Sequence, residues 1–478
     1  MQVEAWLARA ARLRPGWTAL ETLDGACSYS ELDARARAYA RALHAAGVSA
    51  GDRVAIVLPA GLDFAYALHA CLLLGAAAVP VDVRLGPAER AQQCEGAALV
   101  VAEPLVEPTE LLVEAAELLV EPAEPLKELG EPSSEVAEPR TLGSPPPLAA
   151  DEPGLHDLDA VAAVIHTSGT SAAARPIELT YGNFLWSALG SAAALDLDPR
   201  ERWLCTLPVA HVGGLSILIR SAIYATTAVL HPRFDTELAL RALTDEDVTL
   251  VSLVATTLAR LLDSGLRDPP ALRCALTGGG PVPAELLARA HTCAVPVRLT
   301  YGMTEACSQI STAPIALIEH TSAHAGPPLF CTEVRIAEDG EILVAGPTVA
   351  PASHAPDGWL HTGDLGELDE RNFLQVTGRK ADTIISGGEN VAPAEVEAVL
   401  EAHPDVLEAA VLARFDPGWG EAVTALVVRR PGASAQPEAL RAHCAARLAS
   451  YKVPKRFEFV AEPLPRTRSG KLLRRELR

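Results

Sequence analysis

Apolar residues along this 478-residue chain fall into short runs divided by polar, glycine-bearing segments, and their spacing switches between a strand-like and a helical period. Ser30, with Asp33 three residues on, reads as a capping box opening a helix that runs to about Ala46, where Gly47 and Gly51 end it. Arg53–Leu58 predicts a buried strand. Another helix follows to about Gly75, then short strands at Ala78–Asp82 and Leu99–Ala102. The same alternation resumes from Asp159. Val161–Ile165 predicts a strand running directly into Thr167, with further strands at Ala228–Leu230, Leu250–Val254, Arg273–Leu276 and Val297–Thr300. Strands interleaved with helices predict the α/β class, with parallel sheets covered by helices. Val334–Val344 reads as a hairpin turned at Asp339-Gly340, and Phe373–Thr377 as another strand.

Beyond Lys380 the pattern becomes that of a compact α+β unit. Pro393 opens a helix that places Val396, Val399, Leu400 and His403 on one face. Strands at Ala409–Leu412 and Ala422–Val428 and a helix at Pro437–Leu448 complete it. The boundary falls near Arg379–Asp382, giving an N-terminal domain of residues 1–379 and a C-terminal domain of residues 380–478. A chain this long needs more than one hydrophobic core.

One stretch fits neither period. Glu103–Glu138 holds eleven glutamates and one lysine, so −10 of the net charge of −21 is concentrated there. Glu-Pro pairs begin at residues 103, 107, 121, 124, 131 and 138, and the stretch ends in Pro145–Pro147. Thr109–Val120 has helical content, but repeated proline and like charge predict a solvated, flexible insert over residues 103–147, without chemistry of its own. A protein-binding segment is the alternative.

The acidic balance opposes non-specific binding to nucleic acid or anionic membrane. The most apolar stretch, Tyr66–Val81, contains His69, is closed by Pro80 and Asp82, and is too short to span a bilayer. Met1–Arg14 is amphipathic and lacks the apolar region of a signal peptide. Nine cysteines form no C-x-x-C pair, and an odd count predicts reduced, mostly buried thiols in a cytoplasm. Arginines number 35 and lysines five, four of the five beyond residue 379. A lysine at a motif position therefore reflects a chemical requirement rather than habit.

Four segments carry candidate chemistry. Thr167-Ser168-Gly169-Thr170-Ser171 follows a strand, and its small residues offer hydroxyls and close backbone N–H groups to a polyphosphate. Tyr301-Gly302-Met303-Thr304-Glu305 offers a flat ring for a base, a glycine for close approach, a hydroxyl for phosphate and a carboxylate for Mg²⁺. Gly278-Gly279-Gly280 would let a flat ligand lie against bare backbone. Asp364, on what reads as a glycine turn after His361-Thr362-Gly363, suits the two donors of a ribose diol, and Arg379 could reach the same sugar. Ser469-Gly470-Lys471 lies in a basic tail shaped by Pro465 and Gly470. Each alone is also explained as a surface turn or solvated charge.

Taken in order, these segments resemble the adenylate-forming superfamily of acyl-CoA synthetases, peptide-synthetase adenylation domains and luciferases. The resemblance rests on Thr167–Pro176, Tyr301–Glu305, Thr362–Asp364, Gly378–Asp382, Gly387–Glu397 and Lys471, and covers the chain apart from Glu103–Pro147. Longer strings, Trp203–Pro208, His211–Leu218, Leu276–Pro281, Tyr301–Ile310, Ile384–Val391 and Tyr451–Lys455, are similar to the o-succinylbenzoate–CoA ligases of menaquinone synthesis within it. The resemblance implies a large N-terminal domain of parallel and mixed sheets with helices, and a small mobile α+β C-terminal domain. It implies ATP, Mg²⁺ and coenzyme A as co-substrates and cofactor, and a small aromatic carboxylate as substrate, with no nucleic-acid or integral-membrane partner.

By the same resemblance Lys471 is the catalytic lysine, joined by Glu305, Thr304 and His211. Thr167, Ser168, Gly169, Thr170, Ser171 and Arg175 hold phosphates, and Glu305 holds the metal. Gly278, Gly279, Gly280, Tyr301 and Gly302 receive adenine, and Asp364 and Arg379 the ribose. Gly387, Gly388, Glu389 and Asn390 line a pantetheine channel after the C-terminal domain turns about Arg379–Asp382. His211, Gly213, Gly214, Thr277, Ser308 and Gln309 are acyl-pocket candidates. The phosphate segment departs from the superfamily pattern: Ala172, Ala174, Arg175 and Pro176 replace glycine, proline, lysine and glycine. Arginine is not an equivalent point charge for lysine, so pyrophosphate handling is expected to slow or to use Arg175 differently. Ala210 stands where an aromatic is usual and Ala381 at the hinge. A ligase for another aromatic or medium-chain acid, an adenylation domain loading a carrier protein, and a nucleotide-binding relative without turnover are the alternatives.

Overall fold

The computed structural model describes residues 1–105, 154–167, 175–315, 324–386, 389–416, 419–466 and 472–477. The acidic insert, apart from its first three residues, lies outside them. So do Ser168, Gly169, Thr170, Ser171, Gly387, Gly388 and Lys471.

Two sheets make the frame of the N-terminal part. The larger has eight strands in the spatial order Ser308–Thr312, Val297–Met303, Cys274–Thr277, Leu250–Leu253, Arg202–Cys205, Thr227–Leu230, Thr18–Thr22 and Gly25–Ser28. The inner six run parallel and each edge strand is antiparallel. The second has five strands, Leu99–Val101, Arg53–Ile56, Ala77–Pro80, Val161–Thr167 and Arg175–Thr180, with only the last antiparallel. Parallel strands bury both faces, which is why Val-, Ala- and Leu-rich runs rather than alternating ones encode them.

The apolar stretch Tyr66–Val81 supplies most of the helix Leu62–Leu74 and the strand Ala77–Pro80. Phe64, Ala67, Leu68, Ala70 and Cys71 are fully buried, so the helix is apolar all round because it is enclosed by protein. Among the described residues no helix is long and apolar enough to cross a membrane.

The first long helix, Tyr29–Ala45, is capped by Ser28 and Glu31, not by Ser30 and Asp33. The Ser28 N–H donates to Glu31 Oε2 at 2.8 Å, and the Glu31 N–H donates back to Ser28 Oγ at 3.3 Å. Asp33 is instead engaged by Arg37 one turn on, at 2.8 Å.

A four-stranded antiparallel sheet, Glu333–Ile336, Glu341–Ala345, Leu360–Leu368 and Leu374–Arg379, follows, with the predicted turn at Asp339-Gly340. Sheet membership then changes. Ile384–Ser386 joins Glu389–Val391, Val406–Asp416, Gly420–Arg429 and Arg456–Val460 in a separate five-stranded sheet. The helices Pro393–Glu401 and Pro437–Ala445 supply Val396, Leu400, Leu440 and Cys444 to the core against that sheet. Val399 packs at the margin of this core, and His403 lies beyond the helix end, where its ring meets His443.

Candidate active site

Strand register builds the first part of the site. Val297–Met303 is flanked by Cys274–Thr277 in parallel and Ser308–Thr312 in antiparallel pairing. Tyr301, Gly302 and Met303 are therefore strand residues rather than a loop, with a register shift between Tyr301 and Gly302. Gly302 faces Gln309 so closely that a Cβ would lie 1.6 Å from the Ser308 carbonyl oxygen. No side chain fits there. Thr304–Ala306 forms the 3₁₀ turn that reverses the chain, followed by Cys307 and Ser308 at positive φ. Gly278, Gly279 and Gly280 follow the neighbouring strand's end, and a Cβ on Gly278 would meet the Thr300 carbonyl oxygen at 2.7 Å. Thr277, just before them, is fully buried and donates to the Ala275 carbonyl.

Asp364 is brought to this corner from a strand far along the chain. The Tyr301 hydroxyl donates to Asp364 Oδ2 at 2.8 Å, and Arg379 Nε lies 2.9 Å from Oδ1. Asp364 and Arg379 are register partners in adjacent strands, so backbone pairing sets the ion pair. The carboxylate is 6% exposed. Burial, then the Asp364 charge, pushes the Tyr301 hydroxyl pKa well above its usual value, so it remains a donor. Asp364 sits within the nine-residue strand Leu360–Leu368, not on a turn. The glycine before it, Gly363, instead presents its N–H to Glu341 Oε1 at 2.8 Å.

Glu341 was not legible as a site residue. It is 6% exposed, and Lys380 Nζ approaches Oε2 at 2.9 Å. Burial alone would raise its pKa, but Lys380, the Gly363 N–H and His361 outweigh that and hold it low. Lys380 also reaches Asp339 at 2.6 Å. The residue before Ala381 is thus tied to the same backbone that presents Asp364.

Glu305 is half-buried, and among the described residues its carboxylate has no hydrogen bond or ion pair. A carboxylate without a partner among the described residues, in the 3₁₀ turn that also holds Thr304, fits a hard cation that takes its remaining ligands from phosphate and water. No group of three or more His, Cys, Asp or Glu among the described residues forms an all-protein metal cage. The strand Arg175–Thr180 lies against this 3₁₀ turn. Thr167 and Arg175 are register partners flanking residues 168–174, and Thr167 Oγ1 donates to the Arg175 carbonyl at 3.3 Å. Arg175 itself is exposed.

Besides Thr277 on its own strand, the acyl candidates sit on two elements. His211 is the N-cap residue of the helix Val212–Tyr224, with Gly213 and Gly214 in its first turn. Gln309 is buried, donates to Thr312 Oγ1 at 2.8 Å, and leaves Oε1 unpartnered among the described residues. A residue the motifs did not reveal connects the two. Arg220, 3% exposed, donates to Ser187 Oγ at 2.8 Å, and Ser187 donates to the Cys307 carbonyl at 2.7 Å. Burial lowers the Arg220 pKa. No acid faces Arg220 among the described residues, its Nε is unpartnered, and the Trp203 ring lies 5.9 Å away. An arginine within Leu-Ser-Ile-Leu-Ile-Arg-Ser-Ala-Ile was the sequence signal for it.

In the C-terminal part, Glu389 and Asn390 belong to a short strand paired with Ile384–Ser386. Gly387, Gly388 and Lys471 lie outside the described residues. All nine cysteines are free thiols, six of them buried.

The AMP-binding enzyme family matches residues 7–352, and the AMP-binding enzyme C-terminal domain matches residues 395–471. The chain belongs to the AMP-binding enzyme family. Relatives in this family include the 2-succinylbenzoate–CoA ligase of Bacillus licheniformis, 40% identical over 99% of this chain and 98% of that protein. That of Bacillus subtilis is 38% identical over 99% and 97%. Among solved family members, o-succinylbenzoate CoA synthetase of Bacillus subtilis with its acyl-adenylate intermediate superposes with a TM-score of 0.83 at 37% identity, covering 100% of this chain and 98% of that one. The same enzyme with ATP and magnesium gives 0.83 at 37%, covering 100% of both. A double mutant of it bound to a product analogue gives 0.68 at the same 37% identity, covering 100% and 99%.

Proposed function

We propose that this AMP-binding enzyme is an ATP-dependent carboxylate–CoA ligase that converts o-succinylbenzoate to its CoA thioester in menaquinone biosynthesis. The observation that carries the nucleotide half is the buried Asp364 carboxylate, held by Tyr301 and Arg379 from separate strands. It is fixed by these partners and suited to a ribose diol. The choice of acid is supported by full-length identity to the Bacillus ligases. Arg220 favours an acid with a second carboxylate, because a buried guanidinium without an acid partner gains most from an anionic ligand. Use of ATP and CoA supports a cytoplasmic location.

A carboxylate resists thiol attack because oxide leaves poorly. In the first step a carboxylate oxygen attacks the α-phosphorus of ATP and pyrophosphate departs, giving a mixed anhydride. Lys471 offsets the repulsion between the two anions as they join, an electrostatic contribution of the kind that dominates many enzymes. Tyr301 and Gly278–Gly280 receive adenine, while Asp364 and Arg379 orient the sugar. Thr167–Ser171 and Arg175 bind the departing phosphates. Glu305 and Thr304 would hold magnesium, which neutralises pyrophosphate charge when bound. In the second step the CoA sulfur attacks the acyl carbon and AMP leaves. The unit from residue 380 onward turns about Ala381 between the steps, withdrawing Lys471 and presenting Gly387–Asn390 to the pantetheine arm. The lower TM-score against the product-analogue complex, at equal identity, supports that rearrangement.

A panel of aromatic and medium-chain acids assayed for CoA-dependent AMP release tests the assignment. The highest kcat/KM is expected for o-succinylbenzoate. A higher value for a monocarboxylic acid would overturn the choice of acid, and ATP binding without AMP release for any acid would overturn the ligase reading.

A further inference from the structure

We propose that Arg474 is a positioning residue for adenylation, tying the segment that carries Lys471 to the hinge. The proposal deepens the ligase reading and rests on it. Lys471 lies three residues before Arg474 in the sequence. The chain on either side of it is fixed. Arg466 and Leu472 form a β-bridge, and the Leu473 N–H donates to the Pro465 carbonyl at 2.8 Å. Leu464 and Leu472 pack with Ala410, Leu412, Leu426 and Val428, and Arg466 pairs with Glu408 at 3.2 Å, so both flanks of residues 467–471 are anchored to the C-terminal sheet but not to the hinge.

Arg474 adds the link to the hinge. Its guanidinium forms a two-pronged pair with Glu397 on the helix Pro393–Glu401, with Nη2 to Oε2 at 2.7 Å. Nη1 also donates to the Val411 carbonyl at 3.1 Å, and Nε lies 3.3 Å from Asp382 Oδ2. The Arg474 and Glu397 side chains are 16% and 12% exposed. Glu397 is itself fixed by the Val411 N–H at 2.7 Å. A planar fork held at this many points is a rigid connector, which a lysine ammonium is not.

The position of Asp382 gives the cluster its consequence. Lys380, on one side of Ala381, is pinned to Asp339 and Glu341 of the four-stranded sheet. Asp382, on the other side, is pinned to Arg474. Ala381 is the single residue between the two anchors, so rotation there carries Asp382 and Arg474 together, and with them the end of the chain in which Lys471 lies three residues before Arg474. The Lys471 ammonium then meets the reacting anions in a geometry set by the hinge angle rather than by tail flexibility. This matters because misplacement by about 1 Å can cost about a hundredfold in rate.

The test compares Arg474→Gln, Arg474→Lys and Glu397→Gln with wild type in both half-reactions, each repeated in a Lys471→Ala background. In the wild-type background Arg474→Gln is expected to lower the kcat of adenylation by about tenfold to a hundredfold, leaving KM for ATP within about twofold. Thioester formation from supplied acyl-adenylate is retained. Arg474→Lys and Glu397→Gln lie between Arg474→Gln and wild type. If Arg474→Gln does not fold, these two carry the comparison. In the Lys471→Ala background none of the three lowers adenylation further, because they act through that lysine. A loss that persists undiminished without Lys471, or falls equally on both half-reactions, overturns the proposal while leaving the ligase reading intact. A wild-type protein that forms no acyl-adenylate overturns both.

Discussion

The Asp364 corner and the Arg474 cluster are each built on an ion pair to a largely buried carboxylate, yet they are assembled in different ways. At the corner, backbone register does the work. Asp364 and Arg379 are paired residues of adjacent strands, and Tyr301 reaches them from the strand next to the edge of the eight-stranded sheet. In the C-terminal unit, side chains do the work, with Arg474 joining a helix, a strand carbonyl and the hinge. Register cannot shift without breaking a sheet, whereas a side-chain clamp can ride on a turning body. Under the proposed function, the comparison assigns nucleotide binding to the part that stays still and delivery of the charge to the part that moves.

Breaking the fixed part should cost most. Gly302→Ala is expected to lower stability by about 3 kcal/mol or more, because its Cβ meets backbone rather than a movable side chain. Melting temperature and AMP release should fall together, and an unchanged melting temperature would show that the close approach to Ser308 is not real. Asp364→Ala should raise KM for ATP by about tenfold or more with a smaller change in kcat, since a ribose contact binds ground and transition states alike. An unaltered KM would remove Asp364 from the nucleotide site.

The C-terminal unit allows a subtler probe. Burial, with a further push from Glu397, raises the Glu401 carboxyl to about 7 against the pull of the Ala409 N–H. The folded state therefore keeps the Glu401 proton while the unfolded chain has lost it, so stability falls as pH rises through that range. Glu401→Gln should melt higher than wild type at about pH 8 and level with it at about pH 5. A constant gap across pH would contradict the burial. The smallest effect is expected from deleting residues 104–144, since loop closure depends weakly on length. Melting temperature and turnover should hold, and a large drop would show that the insert packs.

Sequence pattern gave away the strands because each ends at a polar or glycine residue and parallel burial keeps their interiors apolar. Tyr301 and Asp364, singled out by residue type and order, do meet in the fold. What the pattern hid was partnership. Glu341 and Lys380 lie 39 residues apart, and Glu397 and Arg474 lie 77 apart. No local period marks a pair that only folding brings together. The capping box was misread for a related reason. Ser28 and Ser30 are equally good cap residues in isolation, and only the reach of Glu31 back to the Ser28 N–H decides between them. The segments around Gly302 and Gly363 read as loops because glycine and polar residues usually mark turns, whereas both lie inside strands, with close strand approach at Gly302 and a register shift opposite Gly363.

The division of labour between a still nucleotide frame and a moving cation is tested most directly by assaying Lys471→Ala in each half-reaction separately. Adenylation should fall by about a hundredfold or more, while CoA thioester formation from supplied acyl-adenylate continues near the wild-type rate. Equal losses in the two half-reactions would contradict it.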